Sequence, residues 1–172
     1  MLLLIRQKED PVLRRIAKPV PIADLPVSWI KKLTTDMSAA LAVCADGVAL
    51  AAPQIGESWR IFVVGARAFP TGDKTKLWPG DLVFINPTIT RRSQKQVELA
   101  EGCLSVRNQY GTTKRHERVS VAAHDLAGRK FVHHASGLLA QVFQHEIEHL
   151  DGILFTDRAR DLHEVEPNQN HA

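Results

Sequence analysis

The run Gln144-His145-Glu146-Ile147-Glu148-His149, near the C-terminal end, constrains this chain more than any other stretch. It contains His-Glu-x-x-His. On an α-helix, residues four apart lie one above the other on the same face. His145 and His149 can therefore hold one metal ion, and Glu146, about 100° round the helix, can reach a water on that ion. The same short pattern also occurs on solvated helices whose histidines are incidental, and the neighbouring residues decide between the two. At about 100° per residue, Leu138, Val142, His145 and His149 fall within about 60° of one another. The histidines thus share a face with apolar residues, where imidazoles need partners, and a metal would satisfy both. The helix is expected to start at Ser136 as N-cap and to stop at Gly152, a suitable residue just past its end.

A catalytic metal of this kind takes three protein ligands and keeps one position open for water. In one extension of the motif a third histidine follows the second by six residues. Here that position is Phe155, which cannot bind a metal. Cys103, set in Glu101-Gly102-Cys103-Leu104-Ser105, is the best remaining candidate, and Asp157, Asp161, His163 and Glu164 stay open by position. Cys44 and Cys103 are the two cysteines of the chain, too few for a disulfide scaffold of the secreted kind. No run approaches the roughly 18 apolar residues of a membrane span. Leu2-Leu3-Leu4-Ile5 is too short for a signal-peptide core and reads as a short strand or buried anchor. The expectation is a cytoplasmic protein with no membrane partner. A net charge of +3 and a pI near 9.0 describe a mildly basic surface and no nucleic-acid motif.

With 172 residues and no internal repeat or linker, one domain over 1–160 with a polar tail over 161–172 is expected. Asp10-Pro11 should cap a short helix. A first long helix is expected over 27–45, with Trp29, Ile30, Leu33, Met37, Ala40, Leu41 and Cys44 as its apolar stripe. At that spacing Cys44 reads as a packed small hydrophobe. Residues 47–56 form an apolar, small-residue run, either a core strand or a place where backbone passes close to a ligand. Strands are expected over 60–65 and 82–89, the second bent at Asn86-Pro87, with a loop over 66–81. Asp125-Leu126-Ala127-Gly128 should close a hairpin between 119–123 and 129–133. His116, His124, His133 and His134 lack ligand spacing and read as surface or structural histidines.

Three stretches, in order, resemble the motifs of the peptide deformylase family. Residues 47–54 resemble its Gly-Φ-Gly-Φ-Ala-Ala-x-Gln, residues 101–105 its Glu-Gly-Cys-Leu-Ser, and residues 144–149 its Gln-His-Glu-x-Asp-His. The Asp10–Val20 start, Ile85-Asn86-Pro87 and Gly137-Leu138-Leu139-Ala140 extend the likeness over about the first 155 residues. The resemblance implies an α+β fold with mixed or antiparallel strands packed around a central helix carrying the histidine motif. It implies removal of the formyl group from N-formylmethionine of nascent polypeptides. Cys103, His145 and His149 would hold one divalent ion, Fe²⁺ natively, with Ni²⁺, Co²⁺ or Zn²⁺ as replacements. Glu146 would act as the base, and the Leu104 N–H and the Gln54 amide would stabilise the charged oxygen. Val48, Ala49, Leu99, Leu138 and Val142 would line the substrate pocket. Contact with the ribosome rests on family analogy alone. The other readings are a zinc peptidase and a metal-binding paralogue without activity.

The chain departs from the family pattern at several positions. Ala49 stands where the family has a second glycine. If that position needed φ > 0, alanine would cost on the order of 1 kcal/mol or more; if it gave room to substrate, the methyl would narrow the cleft. Glu148 replaces the usual aspartate and is expected to pair with Arg115. A Val-Pro-Arg run reads Thr113-Lys114-Arg115, and a basic substrate-binding position is Tyr110. These changes leave open a paralogue with altered peptide preference.

Overall fold

Helix α2, Gly137–Leu150, carries the histidine motif through the middle of the molecule. It ends as its sequence requires: Gly152 takes φ 75°, and a side chain there would come within 2.8 Å of the Arg14 carbonyl oxygen. Only glycine combines that left-handed backbone with so close an approach. Ser136 occupies the N-cap position but makes no capping bond through its side chain. The computed structural model describes residues 4–25, 28–68 and 81–165, so Leu2, Leu3, Val27 and most of the 66–81 loop lie outside the described residues.

The other long helix, α1 (Ser28–Ala42), stops three residues short of the expected end. The chain turns back there, with Cys44 N–H bonded to the Leu41 carbonyl and Gly47 N–H to that of Cys44. A side chain at Gly47 would collide with Leu41 and Cys44. The strands are β1 (Ala49–Ala51), β2 (Ile61–Val64), β3 (Leu82–Arg92), β4 (Gln96–Cys103), β5 (Val106–His116), β6 (Arg118–His124), β7 (Lys130–Ser136) and β8 (Arg160–Glu164). They form one sheet in the order β1-β2-β3-β6-β7 and another in the order β4-β5-β8. Every ladder is antiparallel. The architecture is α+β, as the resemblance implies.

Period-two alternation sorts the core of the larger sheet onto two faces. Ala49, Ala51, Phe62, Val64, Phe84, Val121 and Ala123 face α2 and meet its Ala140, Val142, Phe143, Ile147 and Leu150. Leu50, Ile61, Val63 and Ile85 face the other way, onto Ile30, Leu33, Met37, Ala40 and Leu41 of α1. Phe62, Phe84 and Phe143 are fully buried and in ring contact, each side chain contributing about 1.5–3 kcal/mol by burial. β3 bulges at Asn86, with φ 51°. The Asn86 amide both accepts from Val20 N–H and donates to its carbonyl. The hairpin turn forms as expected, Asp125 accepting from the backbone of Ala127 and Arg129. Asp10 caps a 3₁₀ turn, Pro11–Arg14, by accepting from Val12 N–H.

The smaller sheet departs from the sequence expectation. β8 takes in residues 161–164, which the sequence places in a polar tail, pairing Gln109 with Glu164 and Tyr110 with His163. All five of its residues are exposed, so its composition carries no core signal.

Candidate active site

The smaller sheet and α2 converge on a cavity of about 370 Å³, lined by Cys103, His145, Glu146 and Gln54 among others. β4 delivers Cys103 at its last residue, and α2 delivers the two histidines from one face. One ligand atom from each of Cys103, His145 and His149 lies within 4.8 Å of the others, and among the described residues these three form a group able to hold a metal. The Cys103 Sγ stands 3.2 Å from His149 Nε2. A soft sulfur beside two imidazoles suits a divalent transition ion. The positional alternatives for the third ligand go elsewhere: Asp157 pairs with Arg14, and Asp161, His163 and Glu164 lie on exposed β8. Phe155 is buried in a small apolar cluster against which Cys103 packs.

Glu101, two residues before the cysteine, orients His145. Its Oε1 sits 2.6 Å from His145 Nδ1, leaving Nε2 for a ligand. Arg115 Nε donates to its Oε2 at 2.9 Å and Thr113 Oγ1 at 2.6 Å. Burial would raise the Glu101 pKa, but hydrogen bonds from His145 and Arg115 and their charges hold it well below the usual carboxylate range. Arg115 also reaches Glu148, Nη1 to Oε2 at 2.8 Å, so the expected pairing forms. The sequence singled out neither Glu101 nor Thr113 as a support, because their partners lie on other strands.

Burial lowers the His145 pKa, but hydrogen bonds to Cys103 and Glu101 override this and raise it well above the ordinary value. His149 is driven the opposite way by burial and by the charge of His145. Glu146 is 4% exposed and its Oε2 has no hydrogen-bond partner among the described residues. Burial pushes its pKa up to about 7, against the lowering pull of His145. A buried carboxylate oxygen without a donor, in the cavity that Cys103 and His145 also line, is a polar atom that a water on a metal would satisfy.

Gln54 sits in a 3₁₀ turn after β1. Its Oε1 accepts from Ala51 N–H, and its Nε2 reaches Ser105 Oγ at 3.1 Å and Cys103 Sγ at 3.6 Å. The Leu104 N–H, beside the sulfur, has no hydrogen-bond partner among the described residues. Val48, Ala49, Leu138 and Val142 line the cavity, whereas Leu99 lies outside its lining. Val106, buried on β5 and also in the lining, went unmarked in the sequence because its neighbours are polar. Ala49 is absent from the positive-φ residues and begins an extended strand. Its methyl therefore bears on room in the cleft and not on backbone strain.

Fold and site together are those of a metal-dependent hydrolase, with Cys103 of β4 brought beside His145, Glu146 and His149 of α2 in a group able to hold a metal. Residues 2–165 match the model of the polypeptide deformylase family, and the chain belongs to that family. Similar proteins include the peptide deformylase of Dictyoglomus thermophilum, 43% identical over 155 residues, covering 90% of this chain and 91% of the relative. That of Thermomicrobium roseum is 46% identical over 153 residues, covering 88% and 82%. Among solved structures, peptide deformylase from Thermotoga maritima aligns with a TM-score of 0.80 at 34% identity, covering 93% of this chain and 99% of that one. A class I type b peptide deformylase from Acinetobacter baumannii with Met-Ala-Ser bound aligns with a TM-score of 0.81 at 32% identity, covering 92% and 98%.

Proposed function

We propose that this protein is a metal-dependent deformylase that hydrolyses the formyl amide of N-formylmethionyl peptides, with Cys103, His145 and His149 as the ligands. The observation that carries the reading is the unpartnered Glu146 carboxylate beside that three-residue cluster. A divalent ion held by Cys103, His145 and His149 would supply Lewis acidity, lowering the pKa of a water and drawing charge from the formyl oxygen. Glu146 takes a proton from the attacking water as the water oxygen bonds to the formyl carbon. The Leu104 N–H and Gln54 Nε2, the latter 3.6 Å from Cys103 Sγ, would stabilise the negative charge that gathers on the formyl oxygen. Glu146 then passes its proton to the amine nitrogen as the C–N bond breaks, leaving formate and a free amino terminus.

The cleft also suits an extended peptide. β4 is an edge strand of its sheet and β1 an edge of the other, and both contribute to the lining. A peptide laid between them can bond to either edge. Val48, Ala49, Leu138 and Val142 form the apolar wall for the methionine side chain. The Acinetobacter baumannii relative is solved with Met-Ala-Ser bound, which supports a short peptide as the ligand class.

A formyl-Met-Ala-Ser assay with metal analysis tests the reading. Amine release that disappears in Glu146→Ala, with bound metal retained, supports it. Cleavage of internal peptide bonds would assign a zinc peptidase instead, and bound metal without amine release an inactive binding protein. We further propose Fe²⁺ as the native ion, as the family resemblance implies; a thiolate on Fe²⁺ is open to oxidation. Activity should then fade in air and persist anaerobically; equal loss in both atmospheres would remove that assignment. Work in the cytoplasm at the ribosome fits a substrate made there.

A further inference from the structure

A second cavity, of about 470 Å³, opens at the far end of the larger sheet and shares no lining residue with the catalytic one. The register of β3 on β6 builds it. Arg91 pairs with Ser120 and Arg92 with Val119, which brings Arg118, next along β6, beside two arginines 26 and 27 residues earlier in the chain. All three are exposed and line the cavity; none makes an ion pair within 4.0 Å among the described residues, and Arg118 alone has a carboxylate, Glu117, in electrostatic reach. The nearest acid in sequence, Glu117, is engaged by Lys95 at 2.6 Å. Ser93, His134 and Ser136 add polar groups to the wall; the Ser93 hydroxyl donates to the Lys95 carbonyl and His134 Nδ1 meets Ser120, whereas the Ser136 hydroxyl is free of capping duty.

We propose that this cavity is a binding site for the phosphodiester backbone of RNA. Unpaired guanidiniums grip phosphate oxygens by paired N–H bonds, which is why arginine clusters mark such sites. A hydroxyl beside them, here that of Ser136, donates to phosphate and sugar oxygens. A membrane surface fits less well, because the apolar residues of the lining, Val119 and Ala135, are 3% and 7% exposed and offer nothing to insert. A single phosphorylated side chain would use one or two of three arginines spread over adjacent strands. The site stands apart from the chemistry: α2 begins at Gly137, and His145 follows eight residues on, about 12 Å along the axis. Bound RNA would leave the catalytic cleft open.

The test measures binding of a labelled single-stranded RNA by fluorescence anisotropy across a salt series. The patch variant is Arg91→Gln/Arg92→Gln/Arg118→Gln. A control, Lys18→Gln/Lys31→Gln/Lys130→Gln, removes the same charge from exposed positions elsewhere. The patch variant should bind about tenfold or more weakly, with the slope of log K against log salt reduced by about 2, as three lost phosphate contacts on a single strand require. The control should stay within about twofold of the wild type. Both should melt and release formyl groups from a tripeptide as the wild type does. Should the triple variant melt early, Arg92→Glu alone serves, with affinity down several-fold at an unchanged melting temperature. Equal losses in the patch and control variants would overturn the proposal, as would absence of wild-type binding at low salt. Tighter capture by anionic vesicles or a phosphopeptide than by RNA would overturn it too. Because RNA binding and tripeptide deformylation are read separately, either can fail alone.

Discussion

The proposed reaction needs Glu146 ionised to take a proton, yet Glu146 lies where ionisation is disfavoured, with burial raising its pKa to about 7. Protonation removes the base, so kcat/KM should fall as pH drops through the pKa of the working site. A divalent cation beside the carboxylate favours its charged form. The acid limb should therefore fall between the ordinary glutamate value, about 4.3, and about 7. Glu146→Gln keeps the three ligands and should lower kcat by about 10²–10⁴ with metal content intact, as loss of a positioned base does. A limb above 7, or a Gln variant within tenfold of wild type, would take the base role from this residue. Ala49 makes a different residue-scale claim. Its backbone is extended and its methyl lines the cleft, so Ala49→Gly should lower KM for bulky second residues and leave kcat nearly unchanged. Stability should drop by roughly 0.5–1 kcal/mol from strand entropy. An unchanged KM profile would show that the methyl does not restrict substrate.

The elements meet through one buried side chain, Arg115 of β5, 3% exposed. It holds Glu101 of β4 through Nε and Nη2 and Glu148 of α2 through Nη1, so β4, β5 and α2 are fixed together around His145. Arg115→Ala would strip the arginine from buried Glu101 and leave the half-buried Glu148 only Arg158, at 3.3 Å, and should cost about 3–5 kcal/mol. Its metal should dissociate faster, and Arg115→Lys should rescue little, since one ammonium cannot reproduce the forked contact. Melting and metal-release curves for both variants check this; a fully restored lysine variant would show that charge alone suffices. The same elements show what was legible in the sequence. α2 and its ligands could be read because helical spacing places His145 and His149 together, and Asp125–Gly128 marked its turn locally. The β4–β5 hairpin and β8 could not be read as strands, since Gln-Val-Glu-Leu-Ala-Glu and Arg-Asp-Leu-His-Glu form no core face. Glu101 stood inside a recognised motif, yet its role appears only when β5 places Arg115 and Thr113 beside it. Leu99 alternates correctly for a wall residue, but β4 directs it out of the cavity lining.

At the scale of the molecule, the cysteine belongs to one sheet and the histidines to the helix packed on the other, so an ion held by all three ties the two halves together. Anything bound only by the folded chain adds to its stability by mass action, and stripping the ion should lower the melting temperature. The size of that drop should depend on pH in a calculable direction. In the stripped chain the His145 pKa is raised well above its ordinary value. Its contribution to stability is fully present below the unfolded-state pKa and is lost as pH rises through the folded one. His149 is shifted the other way and makes its difference below about 6.5, the ordinary histidine value. Above pH 7 it adds no slope. Metal binding displaces the His145 proton, so affinity rises over the same range in which the stripped chain weakens. The gap in melting temperature between loaded and stripped protein should therefore widen from pH 7 to pH 9, with proton release on loading that shrinks as pH rises. Calorimetry of both forms at the two pH values measures it. A gap that stayed constant or narrowed would mean that His145 carries no proton to be displaced, and that the Glu101 contact only aims the ring.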